Sequence, residues 1–301
     1  MMKKMTPRLT QKKKRKKLNN GGTMQGQIVK ISSNIHYVEQ NNQLYPCVPR
    51  GKFRKQHILP RVGDYVVFLP EEKVIEEILP RKNEFMRPLV SNIDQAFIVV
   101  SLKEPDFSLS LLDRFLALME LHHVKSIICL TKKDLLEEKE KKEYKKYIHY
   151  YQEIGYPIVY NDELDKIKKL ISNKTSVFTG QTGVGKSTLL NRLNPEWHLK
   201  TDQISYSLGR GKHTTRTVEL YHFLDGKLLD TPGFSALSFA EYSKEEIRSA
   251  FIEFALYPCV FKDCTHTNEK ECCVKQAVLE NKILRSRYES YLKIVKEDKV
   301  C

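Results

Sequence analysis

Three short motifs, and the order in which they occur, constrain this chain more than its composition does. GQTGVGKST, Gly180–Thr188, fits the G-x-x-x-x-G-K-[ST] loop whose backbone N–H groups cradle phosphates. DTPG, Asp230–Gly233, follows it, as in most proteins that bind a guanine nucleotide with magnesium. The guanine-reading motif, TKKD at Thr131–Asp134, comes before the phosphate loop. Such a motif ordinarily comes last. The nucleotide-binding domain is therefore expected to be circularly permuted.

Each motif residue has a chemical reason to be there. Gly180, Gly183 and Gly185 let the loop turn its N–H groups inward, with Gln181, Thr182 and Val184 between them. Lys186 supplies a charge at the β and γ phosphates, and the Ser187 hydroxyl is the expected magnesium ligand. Thr188 continues into a helix, KSTLLNRL, whose N-terminus faces the anion. On the base side, Asp134 can accept two hydrogen bonds from guanine, a donor pair that adenine lacks. Lys132 is expected to stack its stem along the base, beside Lys133. Thr131 stands where Asn is usual and keeps only a hydroxyl. The second base contact should fall near Tyr160–Asn161, where no familiar motif is present.

Between the phosphate loop and DTPG lies a polar, Gly-containing switch segment, which includes GRGKHTT. Thr214 and Thr215 are its candidates for the threonine that completes magnesium coordination, and Thr215 is taken as the ligand. Asp230 is the expected outer magnesium partner, and Gly233 can offer its N–H to the γ-phosphate. Phe234 occupies the place where many hydrolases of this kind carry a water-orienting Gln. Hydrolysis is then very slow, or another group takes that role. His213 is the nearest chemically able residue, so the catalytic set is Lys186, Thr215 and His213.

The flanking regions read differently. Net charge is +14, and residues 1–23 hold nine Lys/Arg and no acid, a basic tail suited to a polyanion. Met24 offers a second start site. Residues 24–91 form short strand-like runs broken by Asn, Gly and Pro, which suits a small closed barrel. An oligonucleotide-binding (OB) type is preferred over an SH3-like one because the connection RGKFRKQH is basic and carries Phe53. Residues 92–240 alternate buried strands with helices, a parallel α/β sheet. Residues 241–301 read as helical around a cysteine-rich turn, with one long helix expected from Lys275 to Glu297.

Four of the seven cysteines fall within 15 residues. Cys259, Cys264, His266 and Cys272 supply three thiolates and one imidazole, a closed tetrahedral set for one structural zinc. Cys273 is an alternative to Cys272. No apolar run is long enough to span a membrane, and no signal peptide is evident, so the expected location is the cytoplasm.

Together these features resemble the circularly permuted GTPases of small ribosomal subunit biogenesis. The resemblance rests on TKKD before GQTGVGKST, on GRGKHTT and DTPGF after it, and on the Cys–Cys–His–Cys cluster. It implies an OB-type barrel, a permuted GTPase core and a C-terminal zinc domain. It implies GTP and GDP with Mg2+ as ligands, and the 30S subunit with its 16S rRNA as partner. It also implies hydrolysis stimulated by the subunit, with His213 in the GKHTT context taking part. A monomer is expected. Two other readings fit the same residues: a GTPase acting on another RNA, such as a tRNA-modification partner, and an RNA-binding protein that uses GTP only as a ligand, which Phe234 motivates.

Overall fold

The computed structural model describes residues 22–197, 218–230 and 238–297. The chain opens with β1 (Met24–Ser32), β2 (Ile35–Gln40) and β3 (Gln43–Pro49), then α1 (Gly51–Lys55), β4 (Tyr65–Leu69) and β5 (Val74–Ile78). Their order in space is β1-β2-β3-β5-β4, and β4 returns to pair with β1. That closes a five-stranded barrel of the oligonucleotide-binding type, because every edge finds a partner. Phe53, the aromatic of the basic connection that favoured the oligonucleotide-binding type, fills the barrel with Ile28, Val38, Val66, Phe68 and Ile75. The short helix α1 places it inward and leaves Lys52, Arg54, Lys55 and His57 on the surface.

A short hairpin, β6 (Glu84–Phe85) with β7 (Val90–Ser91), links the barrel to the next layer. The buried carboxylate of Asp64 pins this link. It takes two hydrogen bonds from Arg81, at 2.7 and 2.8 Å, and one from Ser91 at 2.6 Å.

The central sheet contains β8 (Gln95–Ser101), β9 (Lys125–Thr131), β10 (Ile158–Tyr160), β11 (Thr175–Thr179), β12 (Glu219–Phe223) and β13 (Gly226–Asp230). Their order is β10-β9-β8-β11-β13-β12, with all but β12 parallel. Parallel strands buried on both faces need continuous apolar runs, and QAFIVVS is one. Helices α2 (Leu109–Leu121) and α3 (Glu138–Glu153) cover one face; α4 (Leu164–Ile171) and α5 (Lys186–Leu193) cover the other. The sheet does not end at β12. Strand β1 of the barrel pairs with it, so eleven strands form one continuous ladder. A bulge between Ile28 and Lys30 bends β1 where it changes partners.

The C-terminal region holds α6 (Lys244–Ser249), α7 (Cys273–Leu279) and α8 (Arg285–Glu297). The Ser243/Glu246 capping box opens α6 as the sequence suggests. The expected single long helix is two. Asn281 adopts φ 57°, which stops α7 and lets Ile283 turn into the core. The same core runs from α2 and α3 through α6 to α8. At its centre Arg287 is fully buried between Glu253 and Asp113, at 2.8 and 2.9 Å. Tyr151 donates a further hydrogen bond to Asp113 at 2.6 Å. Among the described residues no helix is long and apolar enough to cross a membrane.

Breaking a buried ion network leaves uncompensated charge in a dry core. Arg287→Ala should therefore cost about 3–5 kcal/mol, seen as a lower midpoint in thermal or urea unfolding. Arg287→Lys should recover only part, because an ammonium cannot fork between two carboxylates. An unchanged midpoint for Arg287→Ala would contradict this role.

Candidate nucleotide and metal sites

The phosphate loop connects β11 to α5, as the motif requires. Gly180 has φ 142°, and a Cβ there would sit 2.1 Å from the Val99 carbonyl oxygen, so no other residue fits. Gly183 and Gly185 also take positive φ, at 82° and 91°. Gln181, Thr182 and Gly183 are exposed, whereas Val184 is buried beneath them. The Lys186 ammonium donates to the carbonyls of Gly180 and Gln181, at 2.8 and 2.7 Å. Burial draws its pKa down to about 8. Phosphate charge at this position favours the ammonium form again. The Ser187 hydroxyl is buried and has no hydrogen-bond partner among the described residues. An orphaned buried oxygen at the first turn of α5 suits a magnesium ion brought with the phosphates. Thr188 lies exposed beside it.

The base-reading motif leaves the end of β9, on the same sheet edge as the phosphate loop. Only β8 separates the two strands. Thr131 is buried, and its hydroxyl donates to the Val184 carbonyl at 2.7 Å. One hydroxyl thus ties the base-reading motif to the phosphate loop 53 residues away. Lys132 adopts a left-handed conformation, φ 58°, and its ammonium donates to the Glu104 carbonyl. Asp134 sits in the 3-10 turn Lys133–Leu135, exposed and without a hydrogen-bond or ion-pair partner among the described residues. Its carboxylate is available to a base.

The neighbouring loop after β10 is where the second base contact was expected. Lys133 places its ammonium over the Tyr160 ring, 4.5 Å from the centroid. The Asn161 N–H donates to Leu130 at 2.9 Å, and its carbonyl accepts from Arg192 of α5 at 3.1 Å. Arg192 and Glu104 were not singled out from the sequence. Glu104 acts through its own carbonyl, and Arg192 donates from its guanidinium to the carbonyl of Asn161, so neither pairing leaves a residue signature.

The structure places Asp230 at the end of β13, opposite Glu219 of β12. His213, Thr214, Thr215, Gly233 and Phe234 lie outside the described residues.

The second candidate site lies in the C-terminal region. Cys259, Cys264, His266 and Cys272 bring one ligand atom each to within 4.8 Å of the others. The His266 Nδ1 is 3.5, 3.3 and 3.3 Å from the sulfurs of Cys259, Cys264 and Cys272. The Cys259 and Cys272 sulfurs are 3.8 Å apart. Edges of about 3.5–3.8 Å belong to a tetrahedron with metal–ligand bonds of about 2.0–2.3 Å. The set can therefore hold a metal ion. Burial first, and then the Arg248 charge, lower the His266 pKa, which favours the neutral imidazole a metal needs. Cys273 is outside the set; its backbone N–H donates to the Cys259 sulfur at 3.2 Å. The Tyr288 hydroxyl braces the His266 carbonyl at 2.7 Å.

Comparison with known proteins agrees with this geometry. The RsgA GTPase family model matches residues 78–240, and the RsgA N-terminal domain model matches residues 25–74. A Streptococcus mutans protein named small ribosomal subunit biogenesis GTPase RsgA is 48% identical, over 91% of this chain and 95% of its own. A Bacillus cereus protein of the same name is 46% identical, over 91% of this chain and 97% of its own. Among solved structures, YjeQ from Thermotoga maritima superposes with a TM-score of 0.80 at 36% identity, covering 92% of this chain and 98% of that one. YloQ, described as a circularly permuted GTPase, gives 0.77 at 37% identity, covering 94% and 98%. With a closed barrel before a permuted nucleotide-binding sheet and both family models matched in order, the chain belongs to the RsgA GTPase family and is a GTP hydrolase.

Proposed function

We propose that this GTPase hydrolyses GTP to GDP and phosphate while bound to the small (30S) ribosomal subunit, in late maturation of that particle. The observation that carries the GTP half of the reading is the Thr131–Val184 hydrogen bond, which supports the reversed motifs acting as one site. The relatives' names support the particle. In this reading Asp134 selects guanine, while Thr131, Lys132 and Lys133 shape the base-reading turn. Gly180 to Thr188 wrap the phosphates, with Lys186 on the β and γ groups. Ser187 and Thr215 would hold Mg2+, Asp230 would be its outer partner, and Gly233 would offer its N–H to the γ-phosphate. Magnesium supplies charge neutralisation as the phosphoryl group transfers.

The partner surface is read as 16S rRNA. Exposed Lys52, Arg54, Lys55 and His57 on the barrel, with the basic residues of the tail, suit a phosphate backbone. The working division is a tail at 1–23, a barrel at 24–91, the permuted GTPase at 92–240 and a zinc-binding helical part at 241–301. A cytoplasmic monomer is the simplest form for such a partner.

Phe234 cannot orient water, so the free protein should turn over slowly. Binding the subunit should bring His213 to the attacking water and raise the rate by roughly two to four decades. Phosphate release with and without purified 30S particles tests this. His213→Ala should keep GTP and subunit binding but lose most of the stimulation. A variant as fast as the parent on the subunit would rule the histidine out.

The metal is proposed to be zinc, one ion per chain, structural because all four positions are protein ligands. Elemental analysis of protein purified without chelator should find one equivalent. Cys264→Ser combined with His266→Ala should lose it, and the C-terminal part should lose thermal stability. Full zinc content in that double variant would overturn the assignment.

A further inference from the structure

The barrel continues the GTPase sheet at the β12–β13 hairpin, where β1 pairs with β12. In the β1–β12 ladder Lys30 stands opposite Glu219, and in the β12–β13 ladder Glu219 stands opposite Asp230. Lys30, Glu219 and Asp230 thus share one row across three strands. The Lys30 ammonium reaches the Glu219 carboxylate at 2.8 Å, and the Tyr221 hydroxyl donates to the same oxygen at 3.0 Å.

The far end of the hairpin is held as well. His222 and Lys227 face each other across it. Glu39 of β2 accepts from Lys227 at 2.6 Å and meets the His222 Nε2 at 2.6 Å. Lys227 also donates to Gln27 of β1 at 2.9 Å. The Glu39 side chain is only 13% exposed. Burial alone would raise its pKa; the hydrogen bonds from Lys227 and His222 outweigh that and keep it below the usual carboxylate value. At both ends the barrel supplies one charge and the hairpin supplies its opposite. Two-point attachment fixes translation and rotation of the hairpin, where one point would fix only position.

The hairpin serves one side of the nucleotide site. The base-reading motif leaves β9, and the phosphate loop joins β11 to α5. Asp230, by contrast, ends β13, three residues beyond Lys227 and about 10 Å along the strand. We propose that Lys30 and Glu39 of the barrel are positioning residues for the γ-phosphate side of the site. They clamp β12–β13 so that the barrel and Asp230 move as one body. Gly233, three residues further along the sequence, is the group read toward the γ-phosphate, so the clamp acts more strongly on a triphosphate than on a diphosphate. By linkage, whatever the barrel binds shifts the affinity for GTP by the same factor that GTP shifts the barrel's affinity. This rests on the reading of Asp230 as the magnesium-side residue.

The test compares affinities for GDP and a non-hydrolysable GTP analogue, both with Mg2+, on the full chain. Trp197 is the only tryptophan and stacks on Phe223 of β12 at 4.4 Å, so its fluorescence reports on the hairpin. Glu39→Ala and Lys30→Ala should each weaken the analogue about five- to twentyfold and leave GDP within about twofold. The charge swap Glu39→Lys with Lys227→Glu should restore the analogue affinity lost by Glu39→Lys alone. Equal weakening of both nucleotides would mean a merely structural contact and would overturn the clamp, as would no change in either. Asp230→Ala separates the two readings. If it discriminates between the nucleotides and Glu39→Ala does not, the clamp alone is wrong. If Glu39→Ala discriminates and Asp230→Ala does not, the clamp stands and Asp230 has another role. If neither discriminates, both are wrong.

Discussion

The hydrogen bond from the Thr131 hydroxyl to the Val184 carbonyl is the contact on which the nucleotide site depends. A buried hydrogen bond of this kind contributes only about 1 kcal/mol net. Its geometric effect is larger. It fixes how far the base-reading turn stands from the phosphate loop, and that spacing must match a single rigid ligand. Asn is usual at this position, and a hydroxyl suffices here because the residue is buried directly against the loop. The order of the motifs in the sequence does not matter to this contact. Parallel strands deliver both loops to the same sheet edge, whichever is made first.

The permutation does change what each half of the site is fastened to. The C-terminal helices pack on α2, which lies just before the base-reading strand, and Arg287 locks them there through Asp113. Phe239 and Tyr242, nine and twelve residues beyond the end of β13, anchor on the same helix. Arg114 lies over the Phe239 ring at 5.0 Å, and the Tyr242 hydroxyl meets His122 at 2.9 Å. The barrel instead holds the β12–β13 hairpin through β1. The C-terminal helices thus brace the base half, and the barrel braces the β12–β13 hairpin of the magnesium half.

Local chemistry made much of this legible in the sequence. Helix α5 starts at Lys186 and ends at Leu193, because the phosphate loop dictates where it begins and the apolar period carries it on. The apolar run AFIVVSL is typical of a strand covered on both sides, and it forms β8. The ligand spacing of Cys259, Cys264 and His266 left a single ambiguity, Cys272 against Cys273. The structure separates them because Cys273 begins α7 and its N–H faces the Cys259 sulfur, while Cys272 turns its own sulfur inward.

Long-range contacts were not legible. Arg287 and Asp113 are 174 residues apart, and nothing in either neighbourhood marks them as partners. Phe53 sits among basic residues and reads as a stacking platform, yet the barrel needed a plug at its open end. The helix after Cys273 looks continuous by apolar period, but burying Ile283 favours a left-handed Asn281 over another helical turn. The proposed role of the turn after β9, reading guanine at the site that cradles the phosphates, rests on one carboxylate, Asp134. Calorimetric titration of the parent and Asp134→Asn with GTP and xanthosine triphosphate tests it most directly. The variant should lose GTP affinity and gain affinity for xanthosine triphosphate, whose 2-oxo group matches the new amide donor. A variant that binds GTP as tightly as the parent would contradict it.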